Sequence, residues 1–221
     1  MDKAPKPLAF GDALAQFIHR HNRRFYARLR GVGVGVFAYD YRGFGESDQR
    51  PIDEQGLYRD AQAAYDFLRK ARGVPANRIV LFGHSLGSGV AVELATHADA
   101  AGLVLEGAFT GLDRVAAERY PYFPVRAVMA NHFDSIDRIS RVSMPKLIVH
   151  ARDDDAIPIA HGRALFARAK EPKQFVEVAG GHEDAYRLDP RYLQAFAVFV
   201  RRIAPEHGPS GESPPPRPTA R

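Results

Sequence analysis

The chain has 221 residues, 45% of them hydrophobic and 26% charged, and a formal net charge of +5. These values suit one globular α/β domain with a large core, and they exclude a fibrous or wholly disordered chain. Cysteine is absent, which excludes a disulfide framework, a thiol nucleophile and a thiolate metal site. No apolar run is long enough to cross a bilayer, so a soluble, cytoplasmic protein with no membrane-spanning segment is expected. The densest basic cluster is Arg20, Arg23, Arg24, Arg28 and Arg30. It reads as a solvated helix face rather than a nucleic-acid footprint, because no aromatic-interleaved basic stripe accompanies it.

In chain order, Asp12 is placed to cap a helix over residues 12–30, in which Leu14, Phe17, Ile18, Phe25 and Leu29 recur at roughly helical spacing. The stretch "GVGVGVFAYD" (31–40) then reads as a buried strand, followed by the turn-rich loop "YRGFGESDQRP". A helix is expected over 57–72, with Leu57, Ala61, Ala64, Tyr65 and Leu68 on one side. "RIVLFG" (78–83) is a strand, 86–98 a helix and "GLVLEG" (102–107) a strand. Residues 107–141 carry aromatics and mixed helix signals, as a small cap would. "KLIVHA" (146–151) and "QFVEVAG" (174–180) are the remaining strands, with helices over 160–169 and 190–203 after them. Five apolar strands alternating with helices predict a mostly parallel sheet covered by helices on both faces, within one domain spanning 1–204. Residues 205–221 form a proline-rich tail without an apolar face, expected to be disordered.

The chemistry begins at "LFGHSLGSG". Ser85 stands between a strand and a helix, with Gly83 and Gly87 two residues to either side. In such a G-x-S-x-G turn the backbone folds so tightly that side chains at the glycine positions collide, and the serine is left exposed on a strained bend. A serine hydroxyl is a weak nucleophile until a base, oriented by a third group, takes its proton. Loops at the carboxyl ends of later strands supply both: Asp153, Asp154 and Asp155 follow "KLIVHA", and His182 follows "QFVEVAGG". The order Ser, Asp, His is that of a nucleophile-elbow hydrolase.

The segments "DYRGFGES", "GHSLG", "HARDDDAIP" and "GGHED" resemble those of the α/β-hydrolase superfamily, most of all its small serine hydrolases of the alpha/beta-hydrolase-domain or serine-aminopeptidase-like kind. The resemblance covers about residues 22–203. It implies an α/β-hydrolase fold and hydrolysis of an ester, thioester or amide through an acyl-enzyme, with a small-molecule acyl substrate and no cofactor. Matching His150 and Pro158 to the family's H-G-x-x-D-x-x-V-P motif implies that Asp154 is the acid, with Asp153 and Asp155 as loop neighbours and Asp155 as a helix cap. Ser85 and His182 take the nucleophile and base positions, and the backbone N–H of Leu86 is implied as an oxyanion donor.

No metal is expected. His19 and His21 diverge on a helix, His182, Glu183 and Asp184 lack helical pairing, and three adjacent aspartates make no calcium loop. Arg42 and Glu46 read as structural, through an ion pair or turn bonds. Tyr120, Tyr122 and Phe123 either line an apolar substrate pocket or form the core of the cap.

The start of the chain departs from the family pattern. Two or three strands normally precede "GVFAYD", the last running into an H-G loop that supplies the second oxyanion donor. Here "KPLAF" is the remnant of at most one strand, and "GDALAQ" stands where the H-G loop belongs. The first strands are therefore expected to be missing or incomplete, whether through truncation, an altered frame, a mis-assigned start or divergence. The remaining source of a second donor is then residues 11–13, and turnover is expected to suffer. The alternative function is a catalytically impaired hydrolase-fold binding or interaction protein. Oligomeric state is left open.

Overall fold

A computed structural model describes residues 12–17, 23–45 and 47–203. Among the described residues, six strands form one sheet: β1 (Asp12–Phe17), β2 (Val34–Ala38), β3 (Ile79–His84), β4 (Gly102–Glu106), β5 (Lys146–Ala151) and β6 (Lys173–Val178), in the order β2-β1-β3-β4-β5-β6 and parallel throughout. The helices are α1 (Arg23–Gly31), α2 (Glu54–Asp66), α3 (Leu86–Leu94), α4 (Leu112–Arg119), α5 (Val125–Val128), α6 (Ser135–Arg138), α7 (Ile159–Arg168), α8 (Ala185–Leu188) and α9 (Pro190–Ile203). Among the described residues, no helix is long and apolar enough to cross a membrane.

The sheet is apolar on both faces, as a parallel sheet requires. Successive side chains of a strand point to opposite sides. Leu81, Leu103, Leu105 and Ile148 accordingly pack with Leu57, Val90 and Leu165 of α2, α3 and α7. Val80, Phe82, Val104, Leu147 and Val149 pack on the other side with Phe25 and Leu29 of α1 and with Tyr192 and Phe196 of α9. Phe25 and Leu29 are four residues apart, which places both on the buried stripe of α1.

The largest correction is at the start. Residues 12–17 are a strand rather than the first half of a helix, and the helix begins only at Arg23. β1 lies between β2 and β3, with Asp12 beside Val34 and Ala13 beside Ile79. A helix in that place would leave the facing N–H and C=O groups of β2 and β3 without partners. Long-range pairing on two sides overrides the local period. Among the described residues one strand, β1, therefore precedes "GVFAYD", where residues 12–17 were expected to begin a helix. "KPLAF", Glu46, His19, His21 and the proline-rich tail lie outside the described residues.

The other boundaries move by a few residues. Asp53 caps α2 earlier than expected, its carboxylate accepting the Gly56 N–H at 2.7 Å. That helix ends in a wider turn over Phe67–Ala71, where the Arg72 N–H reaches the Phe67 carbonyl at 3.0 Å. α3 stops at Leu94.

The excursion between β4 and β5 carries α4, α5 and α6 and is tied down by polar contacts. The buried Asp113 carboxylate accepts from Arg126 Nε at 2.7 Å and lies 3.3 Å from His132 Nδ1. Glu54 of α2 accepts the backbone N–H groups of His132 and Phe133 at 2.7 and 3.0 Å.

Candidate active site

Ser85 sits between the last residue of β3 and the first residue of α3, at φ +52° and ψ −124°. A non-glycine residue at positive φ is strained, and it persists only where the surroundings over-determine it. Here they do. The Ser85 N–H donates to the Glu106 carbonyl at the end of β4 at 3.0 Å, and the Ser85 carbonyl accepts from the Ser88 N–H at 2.8 Å. Gly83 lets the turn close: a Cβ there would lie 2.4 Å from the Gly87 carbonyl oxygen and 2.7 Å from Ser88 Cα. Leu86 opens α3, and first-turn N–H groups of a helix have no partner within it.

Three loops converge on this bend. The Ser85 Oγ lies 2.8 Å from His182 Nε2, and His182 Nδ1 lies 2.8 Å from Asp154 Oδ2. A carboxylate accepts only, so Nδ1 carries the proton and Nε2 is left to accept from the serine hydroxyl. Asp154 is the buried member of the aspartate trio, while Asp153 and Asp155 are exposed. Its Oδ1 also accepts the Ala156 and Ile157 N–H groups at 3.0 and 2.8 Å. α7 starts at Ile159 behind Pro158, so Asp155 does not take the helix-capping place expected for it. The loops that carry Asp154 and His182 are joined directly: the Asp153 N–H donates to the Gly180 carbonyl at 3.2 Å. Gly180, at φ +110°, turns the base loop back, and the Gly181 N–H is held by Asp184 at 2.8 Å.

The electrostatics follow from these contacts. Burial alone would raise the Asp154 pKa, but hydrogen bonds with His150, His182 and the Ile157 N–H outweigh it and hold the carboxyl well below the usual carboxylate range. Burial would lower the His182 pKa, but the hydrogen bond and charge of Asp154, with smaller contributions from Glu183 and Glu106, leave it raised. The imidazolium form of His182 is thus favoured over that of a free histidine.

Four neighbours of this group were not read from the sequence as site residues. His84 Nε2 donates to the His182 carbonyl at 3.0 Å and so tethers the base loop to β3. Glu106 is buried beneath the bend and accepts the Tyr192 hydroxyl at 2.8 Å; burial raises its pKa. Gly107 has φ +52°, and a Cβ on it would lie 3.2 Å from His182 Cε1 and 3.3 Å from Asp154 Oδ2. His150, fully buried, donates from Nε2 to the Ile157 carbonyl at 2.9 Å and shapes the acid loop. One signal was available: in "GLVLEG" a charged residue and a glycine close an otherwise apolar strand at the carboxyl end of the sheet.

The remaining candidates fall elsewhere. Tyr120, Tyr122 and Phe123 stand in solvent and are not the core of the excursion. Arg42 binds Asp60 through its backbone N–H, Nε and Nη2 at 2.7 to 3.1 Å, the ion pair expected of a structural residue. Asp12 and Ala13 lie at the amino end of the sheet beside Val34 and Ile79, a strand's length from Ser85. Asp12 and Ala13 are therefore not placed to donate to an oxyanion at Ser85. β1 instead ends at Phe17 beside Gly83, so the chain leaves it at the same end as Ser85, into residues outside those described. Among the described residues, His84, His182 and Glu183 offer potential ligand atoms within 4.8 Å of one another. Both ring nitrogens of His182 are engaged, which leaves that set short of the three protein ligands a zinc site uses.

Comparison with known proteins agrees with this architecture. The serine aminopeptidase S33 family matches residues 17–136. The chain is similar to an uncharacterized protein of Mycobacterium tuberculosis, 43% identical over 178 residues that cover 80% of this chain and 63% of the relative. It is also similar to human alpha/beta hydrolase domain-containing protein 17B, 34% identical over 172 residues, covering 76% of this chain and 57% of the relative. The chain thus spans about three fifths of the length of each. Among solved structures, an esterase from Pyrococcus furiosus superimposes with a TM-score of 0.71 at 15% identity, covering 88% of this chain and 84% of that one. At that identity the likeness speaks for the fold alone.

Proposed function

The chain belongs to the α/β-hydrolase superfamily, and from that premise we propose that it is a serine hydrolase cleaving an ester, thioester or amide through an acyl-enzyme. One observation carries the reading. A strained serine at the carboxyl end of β3 donates at 2.8 Å to an imidazole whose other nitrogen is held at 2.8 Å by a buried carboxylate.

In this reading Ser85 Oγ attacks the acyl carbonyl while His182 Nε2 takes its proton. Asp154 keeps the Nδ1 tautomer and offsets the charge of the imidazolium, which then protonates the leaving group. The C–O, C–S or C–N bond breaks and the acyl group remains on Ser85. Water, deprotonated by the same imidazole, releases it as the acid. The Leu86 N–H, unpartnered within α3, receives the oxyanion. A second donor would be worth about 10² to 10³ in turnover.

The test is a fluorophosphonate probe together with p-nitrophenyl acyl esters, on the wild-type chain and on Ser85→Ala. Labelling and turnover that vanish in the variant are expected. Absence of both in the wild type would reject the hydrolase reading and leave a hydrolase-fold binding protein.

A further inference from the structure

The excursion between β4 and β5 carries an apolar patch that the proposed chemistry does not use. Tyr120, Tyr122, Phe123 and Val128 are 61%, 99%, 71% and 70% exposed. They occupy a short stretch that is built rather than frayed. The Tyr120, Phe123 and Val125 N–H groups donate to the Ala116, Tyr120 and Phe123 carbonyls at 2.9, 3.0 and 2.7 Å. Pro121 and Pro124 bracket Tyr122 and Phe123 and restrict the backbone further. Large aromatics held out into water by an ordered turn cost solvation free energy and mark a surface meant to be covered.

We propose that this turn docks the protein on an anionic lipid surface. Residues 119–128 hold two arginines and no acidic residue. Both guanidinium groups are oriented by the fold: Arg126 by the buried Asp113 carboxylate at 2.7 Å, Arg119 by the Asp155 carbonyl at 3.2 Å. Arg126 remains largely exposed. Tyrosine at a membrane interface keeps its hydroxyl among the headgroups while its ring is buried, and phenylalanine and valine reach deeper. Flanking cations favour anionic headgroups. The mix of exposed tyrosines, one phenylalanine and two arginines, whose nearby carboxylates Asp113 and Glu118 are engaged by Arg126 and His161, fits that boundary.

The turn also has a fixed relation to Ser85. It follows β4 at the carboxyl end of the sheet, and the Arg119 contact ties it to the neighbour of Asp154. Docking through it therefore presents the triad end of the molecule to the lipid. That last consequence rests on the hydrolase reading; the docking itself does not.

The experiment is sedimentation of the full chain with vesicles of phosphatidylcholine alone or mixed with phosphatidylserine, on the wild type and on Ser85→Ala. Binding to the mixed vesicles, weaker on phosphatidylcholine alone and falling with salt, is expected of both proteins. Joint replacement by Tyr122→Ser and Phe123→Ser should lower the partition coefficient by about tenfold or more without changing the melting temperature. The chain has no tryptophan, so Phe123→Trp places a single indole in the turn, and its emission should shift to the blue on the mixed vesicles. Absence of binding, equal binding by the doubly substituted chain, or no preference for phosphatidylserine overturns the proposal. So does a wild-type dimer that the double replacement dissociates, since the patch would then belong to a second copy. Vesicle binding without Ser85 labelling would reject the hydrolase reading alone; labelling without vesicle binding would reject the docking surface alone.

Discussion

Asp154 and Asp60 are both shielded carboxylates, and burial pushes each pKa up before hydrogen bonds pull it below the usual range. Their partners differ. Asp60 is consumed by Arg42, which meets it with a backbone N–H and two guanidinium nitrogens. The guanidinium stays charged at any working pH, so the pair is closed and can only hold the loop after β2 against α2. Asp154 spends one oxygen on backbone N–H groups and meets an imidazole that has a second nitrogen to offer. A depressed pKa therefore does not by itself mark a working site; a partner that can still change protonation state does.

The sharpest test of that contrast is at the end of the chain of contacts. Ser85→Ala and His182→Ala should each abolish fluorophosphonate labelling and ester turnover while circular dichroism still shows a folded chain. Turnover at the wild-type rate in either variant would break the comparison.

Next in size, Asp154→Asn should lower kcat by about 10⁴, because the imidazole then loses its oriented tautomer. The same change at the exposed Asp153 or Asp155 should leave kcat near the wild-type value. Similar mild losses at all three positions would remove the special standing of Asp154.

Asp60→Asn should do the opposite: little change in turnover, but a loss of about 1.5 to 3 kcal/mol in urea unfolding, typical of hydrogen bonds to a charged group. The sign with pH is set by the depressed folded pKa. The pair's contribution is fully present above the unfolded carboxylate value and is lost as pH falls through the lower folded value. The difference between wild type and variant should therefore shrink in acid; a gap that widens there would contradict the assignment.

The smallest effect is the position of a pH limb. His182 must be neutral to accept the serine proton, and its pKa is raised. The ascending limb of kcat/KM should thus lie above the ordinary histidine value of about 6.5. A limb below that value would mean that burial outweighs Asp154.

Much of this was legible in the residues themselves. Gly83 and Gly87 around Ser85 announce a turn that only close backbone approach explains, and "KLIVHA" matches β5 residue for residue. Apolar runs of that length need little context, because a strand buried on both faces must be apolar throughout. The order of serine, aspartates and histidine was likewise readable, and so was the structural role of Arg42.

What the residues alone could not decide was set by contacts distant in the chain. "DALAQF" has a helical spacing of apolar residues, yet it is a strand because β2 and β3 present unpaired edges to it from both sides. Glu106 and His84 come to lie beside Ser85 and His182 only because β3 and β4 are neighbours in register, His84 beside Glu106. The aromatics of "YPYF" looked equally suited to a pocket or a core, and the fold turned them to solvent. Local pattern encodes which backbone shape a segment prefers, while its partners are supplied by segments tens of residues away, and backbone hydrogen bonding and burial are satisfied only when those partners arrive.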